Sequence, residues 1–228
     1  MRSRSSHSRT PAVNGLGLLP ALVALALATA CTDRTTPSAD RWSRSGELIA
    51  LSGGEGGARY ACVTCHGARG EGNGFDAPRL AGLPAGYLQK QMEDYAAGLR
   101  AHAVMHDVAS FLDSHERVQV ANHYAALPPH AMPPSSEGGV DASTPALYAR
   151  ACAQCHGDLA TGTPHGPPLN AQPAFYLAQQ LQDWQVSKRR NDGNHAMLKV
   201  AQQLSPAQVR QLSLYLGAIP LHPAPAAR

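Results

Sequence analysis

The pentapeptide Cys-x-x-Cys-His occurs twice, in YACVTCHG at 60–67 and RACAQCHG at 150–157, in a chain of 228 residues with five cysteines. The sequence around it repeats as well. APRLAGLPAGYLQKQMEDY, AVMHDVASFL and VANHYAALP follow the first copy. GPPLNAQPAFYLAQQLQDW, HAMLKVAQQL and LSLYLGAIP follow the second, in the same order and at similar spacing. The alignment spans 47–130 and 143–222, so the chain predicts two homologous domains of about 80 residues rather than one large core. A repeat this long, present in two copies, is not a solenoid. Residues 131–142, within PPHAMPPSSEGGVDAST, read as a Pro/Gly/Ser-rich linker.

Each copy predicts the same elements. A first helix runs into the Cys pair (GELIALSGGEGGARYACVTCH and TPALYARACAQCH), with Thr144-Pro145 as N-cap and first turn of the second. A Gly/Pro-rich loop comes next. The amphipathic helix after it carries apolar residues at three- and four-residue intervals, as in Tyr176, Leu177, Leu181 and Trp184. A closing helix follows, opened in the second copy by Ser205-Pro206. No run alternates like a strand, so the fold class is all-α. Only 5% of residues are aromatic, with three Phe and two Trp. Domains of about 80 residues with so few anchors usually depend on a staple, a metal or a cofactor.

The chemistry of the repeated motif narrows what that is. A structural zinc site needs four ligands, and neither domain has a second Cys pair. A redox Cys-x-x-Cys belongs in a βαβ context that is absent here. A disulfide within each pair would leave His66 and His156 unexplained. Cys-x-x-Cys-His is also the attachment motif of c-type haem. Cysteines at i and i+3 share a helix face, so Cys62/Cys65 and Cys152/Cys155 each reach the two vinyl groups of one porphyrin. His66 or His156, one residue on, meets the iron. Two covalently bound haems c are the expected cofactors.

Four methionines beyond the N-terminal segment compete for the sixth iron position. Met105 and Met197 align with each other, 39 and 41 residues after their histidines. Met92 aligns with Leu181 and reads as core, and Met132 falls in the linker. His102, His106 and His195 lie near the methionines but share no aligned position. Met105 and Met197 are therefore the expected sixth ligands, of the Met/His kind that raises a haem's potential. Pro78 and Pro167 also align, and their carbonyls are placed to accept from the histidines' Nδ1–H.

The N-terminus reads as an export signal over 1–30: a basic MRSRSSHSR, then an apolar LGLLPALVALALATA ending in small residues. Cys31, the odd cysteine, follows at once in LATAC, an imperfect lipoprotein box. Acylation there would tether the protein to a membrane through the polar segment 31–46. Without Arg2, Arg4 and Arg9 the chain has 16 basic and 16 acidic residues, so it lacks the basic footprint of a nucleic-acid binder.

At CxxCHG, Pro-x-Leu, the Tyr-bearing helix, the aligned Met and the closing helix, the sequence resembles the class I c-type cytochromes. Duplicated behind an export signal, it is similar to the dihaem cytochrome c4 family of Gram-negative bacteria over about residues 47–222. The resemblance implies two tandem class I domains with ligand pairs His66/Met105 and His156/Met197. It also implies a periplasmic electron carrier, not an enzyme, working between a quinol-oxidising complex and a terminal oxidase in a respiratory chain. A cytochrome subunit of a larger dehydrogenase or oxidase stands as the second reading. A dihaem peroxidase would need a domain lacking its Met.

Overall fold

The structure, a computed structural model, describes residues 45–130, 132–133 and 138–221. The expected export signal and Cys31 lie outside them, as do 31–44 of the tether and 131 and 134–137 of the linker. Among the described residues there are helices and two isolated bridges but no strand, and no helix is long and apolar enough to cross a membrane. The first domain holds α1 (Gly46–Ser52), α2 (Val63–His66), α3 (Ala85–Ala96), α4 (Ala103–Phe111) and α5 (Ser114–Ala126). The second holds α6 (Thr144–Ala151), α7 (Ala153–His156), α8 (Ala174–Gln185), α9 (Ala196–Gln202) and α10 (Pro206–Ala218).

The expected first helix is broken in both copies. In the first domain, Gly53 takes φ 80° and donates to Ile49 O, closing α1. Two short 3-10 turns among the glycines then carry the chain to α2. In the second, Cys152 (φ −126°) separates α6 from α7. The N-cap of α6 is Ser143 rather than Thr144, with no side-chain capping bond. The closing helices start more firmly. Asp113 and Ser205 each build a capping box, with Glu116 and Gln208 answering at N3.

Each domain buries its own small core. In the first, α3 and α1 pack on α5 around Ile49, Leu83, Leu88, Leu112, Val120 and Tyr124. In the second, α8 and α6 pack on α10 around Tyr148, Leu177, Leu204, Val209, Leu212 and Leu216. Met92 packs half-buried against the first core, as its alignment with Leu181 implies. One exchange keeps the repeat consistent. Gly70 (φ 68°) has no room for a side chain, because a Cβ would sit 2.8 Å from the Tyr124 ring. The second domain has Leu216 in place of Tyr124, and there Ala160 takes φ 56° at the aligned position.

The described residues of both domains fall in one compact unit, and the domains meet through a buried polar seam. Aligned Arg100 and Arg189 pair backbone to backbone as an antiparallel bridge. Each guanidinium lies over an aromatic ring of its own domain, Tyr95 at 4.6 Å or Trp184 at 3.9 Å. Each then reaches both domains' aligned glutamines. Gln91 Oε1 accepts from Arg100 Nη1 and Arg189 Nη2 at 3.0 Å. Gln180 Oε1 accepts from Arg189 Nη1 at 2.9 Å and Arg100 Nη2 at 2.6 Å. Both arginines are 5% exposed, and at that depth a donor left without an acceptor costs about 1–3 kcal/mol, more when charged. Gln91→Leu removes one acceptor from Arg100, Arg189 and Asn191 together. It is expected to destabilise the protein by ~3 kcal/mol in chemical denaturation, and Gln180→Leu added to it should cost less than the two singles combined.

Candidate functional site

The two Cys-x-x-Cys-His segments fold as the short turns α2 and α7, and the backbone spacing places the motif as its chemistry requires. His66 N donates to Cys62 O at 2.9 Å, and His156 N to Cys152 O at 3.0 Å. These are i to i+4 helical bonds that set each histidine one turn beyond its first cysteine. Gly67 and Gly157 follow at φ 80°, ψ 157° and φ 80°, ψ 155°, a conformation open to glycine that turns the chain sharply away. In each copy the first cysteine is half-buried and the second exposed. Burial pushes the Cys62 and Cys152 thiols up to about 11. The four described cysteines are unbridged, and among the described residues no group of three His, Cys, Asp or Glu side chains is placed to hold a metal ion.

The histidines are buried, at 7% and 6% exposure. His66 Nδ1 lies 2.9 Å from Pro78 O, and His156 Nδ1 lies 2.8 Å from Pro167 O. A carbonyl oxygen only accepts, so Nδ1 carries the proton and Nε2 presents its lone pair. That is the tautomer an iron-bound imidazole needs, oriented by the hydrogen bond at its far nitrogen. The expected roles of Pro78 and Pro167 are present in both domains. Two thiols on one turn, a fixed imidazole beside them and an unengaged Nε2 fit a covalently held haem in each copy.

The aligned methionines both sit in the first turn of a helix, Met105 in α4 and Met197 in α9, each half-buried. Different groups set them there. His102, the N-cap of α4, accepts from Met105 N through Nδ1 at 3.2 Å. In the second domain Asp192 Oδ2 accepts from Met197 N and Leu198 N at 2.8 and 3.1 Å, while its Oδ1 accepts from Trp184 Nε1 at 3.2 Å. Sequence reading assigned neither residue a role. An Asp five residues before the methionine and a His three before it are the signals that point to them. His106, which has no counterpart in the second copy, hydrogen-bonds Tyr95 O through Nδ1 at 2.9 Å.

Burial holds both histidines below the ordinary value, against the opposing pull of the proline carbonyls. The folded protein keeps these imidazoles neutral, whereas the unfolded chain protonates them below about pH 6.5. Their contribution to stability is therefore complete above that value and drains away as pH falls.

Comparison with known proteins places these features. The cytochrome c family model matches residues 55–125 and 143–219. The thiosulfate dehydrogenase electron acceptor of Stutzerimonas stutzeri (strain A1501) is 34% identical over 188 residues, covering 75% of this chain and 85% of its own. Cytochrome c4 of Pseudomonas aeruginosa is 30% identical over 68% of this chain and 82% of its own. The crystal structure of reduced cytochrome c4 from Pseudomonas stutzeri superposes with a TM-score of 0.60 at 27% identity, covering 69% of this chain and 93% of that one. A thiosulfate dehydrogenase from Marichromatium purpuratum superposes at 0.67 and 33% identity, over 77% of this chain but only 40% of that longer one.

Proposed function

The chain belongs to the cytochrome c family, and on that footing we propose that it receives electrons from a thiosulfate dehydrogenase and passes them on toward a terminal oxidase. Two tandem domains, each with its Cys-x-x-Cys-His turn, make it a dihaem c-type electron carrier. When bound, each haem iron takes up and releases one electron. The observation that carries the thiosulfate dehydrogenase partnership is the 34% identity over three quarters of this chain to a protein named as a thiosulfate dehydrogenase electron acceptor. A second relative of that name, from Thiomonas intermedia (strain K12), is 36% identical over 72% of this chain.

In this reading His66 and Met105 cap the first iron and His156 and Met197 the second, so neither is left open to a substrate. The aligned half-buried methionines support this, each held by a hydrogen bond to its own backbone amide. Cys62, Cys65, Cys152 and Cys155 form the thioether links. The N-terminal sequence supports export to the periplasm and acylation of Cys31 as a membrane tether. A near-neutral exported chain favours docking through apolar haem edges over long-range electrostatic steering.

The oxidised full-length protein, mixed with a thiosulfate dehydrogenase and thiosulfate, is expected to show reduced-haem absorbance within the dehydrogenase's turnover time. Thiosulfate alone should leave it oxidised. A protein that dithionite reduces fully but the dehydrogenase with thiosulfate does not would overturn the partner assignment and leave the electron-carrier reading in place.

A further inference from the structure

The peptide unit that holds His66 has a second end. Its carbonyl, Pro78 O, accepts from His66 Nδ1. Its amide is the N–H of Arg79, which donates to Gln172 Oε1 at 3.0 Å. Gln172 Nε2 returns a bond to Arg79 O at 3.0 Å. Gln172 belongs to the second domain, in the loop before α8, and is 4% exposed; Arg79 is 2% exposed. The Arg79 guanidinium adds bonds to Ala81 O of its own domain and to Asn170 O of the other, so the loop is held from both sides of the seam.

A peptide group is planar and conjugated, so its two ends share one electron distribution. Accepting a hydrogen bond from the N–H draws charge toward the carbonyl oxygen, and bonds linked through one amide strengthen each other in a low-dielectric interior. His66 Nδ1–H, Pro78 C=O, Arg79 N–H and Gln172 Oε1 thus form one continuous row across the domain boundary. The second domain lacks such a row. Its histidine is held by Pro167 O, but the next residue is Pro168, which has no N–H to donate. The two copies match at the histidine and differ one peptide bond further out.

We propose that Gln172 is a positioning residue for the axial histidine of the other domain: it fixes and polarises the Pro78–Arg79 peptide, making His66 the more electron-donating of the two imidazoles. A more basic imidazole stabilises the oxidised iron, so the integrity of the second domain helps to set the first haem's potential. The inference uses the two haem sites and is independent of which partner supplies the electrons.

Spectroelectrochemistry of the full dihaem protein tests it, with the two haems distinguished by their hyperfine-shifted NMR resonances. Gln172→Leu should raise the first haem's potential by about a threefold change in its reduced-to-oxidised ratio, about 28 mV at 59 mV per decade. The second haem should not move. The His66 ring resonances should shift, and those of His156 should not. A second pair of variants guards against misfolding of the first. Arg79→Pro copies the second domain's Pro-Pro sequence and removes the amide N–H, whereas Arg79→Ala removes the same guanidinium and keeps the N–H. The first haem's potential should be higher in Arg79→Pro than in Arg79→Ala. Equal potentials in those two variants, or equal movement of both haems in Gln172→Leu, would overturn the proposal.

Discussion

One hydrogen bond organises each half of this molecule: the motif histidine's Nδ1–H to a proline carbonyl, at 2.9 Å in the first domain and 2.8 Å in the second. It fixes the tautomer, aims the other ring nitrogen and ties the Cys-x-x-Cys-His turn to the loop that leads into α3 or α8. That loop is itself anchored. Leu80 N and Ala81 N donate to Gly70 O, and Leu169 N and Asn170 N donate to Ala160 O. The cores behind are modest, with Tyr124 or Tyr148 as their largest fully buried apolar side chains. In domains of this size a covalently held porphyrin supplies apolar bulk that side chains alone do not.

The second constraint is the seam between the domains. Obligate interfaces are commonly apolar; this one has a stacked Phe75–Phe175 pair, but its buried centre is two guanidiniums, two amides and their aromatic platforms. Such a seam contributes registry more than affinity. The glutamine oxygens can each serve an arginine from both sides only when the two copies sit in one relative position. Gln172 and Arg79 extend the same logic from the seam to the axial ligand.

Much of this could be read from the chain itself, and the parts that could not share a cause. The repeat, the all-α class, the four cysteines and two histidines of the haem turns, and the supporting prolines all rest on local spacing within one copy. The helix breaks at Gly53 and Cys152 were not anticipated, because a helical pattern across a motif does not show where a left-handed residue or a loop takes over. The roles of Arg100, Arg189, Gln91 and Gln180 are invisible for another reason. Each is an ordinary polar helix or loop residue until a partner 76 to 98 positions away meets it. Alignment of the two copies does show Arg100 opposite Arg189 and Gln91 opposite Gln180. That equivalence is the trace a pseudo-two-fold contact leaves in a duplicated sequence.

The central claim is that this chain holds two irons, each closed by a histidine and a methionine. A redox titration followed by absorbance, on the native protein and on Met105→Ala and Met197→Ala, tests it most directly. The native protein should take up two electrons per chain with both haems low-spin throughout. Each variant should lose half of the weak far-red band of the Met–iron bond, turn one haem high-spin and lower that haem's potential. A native protein with a high-spin haem, or a variant that keeps the full band and both potentials, would contradict it.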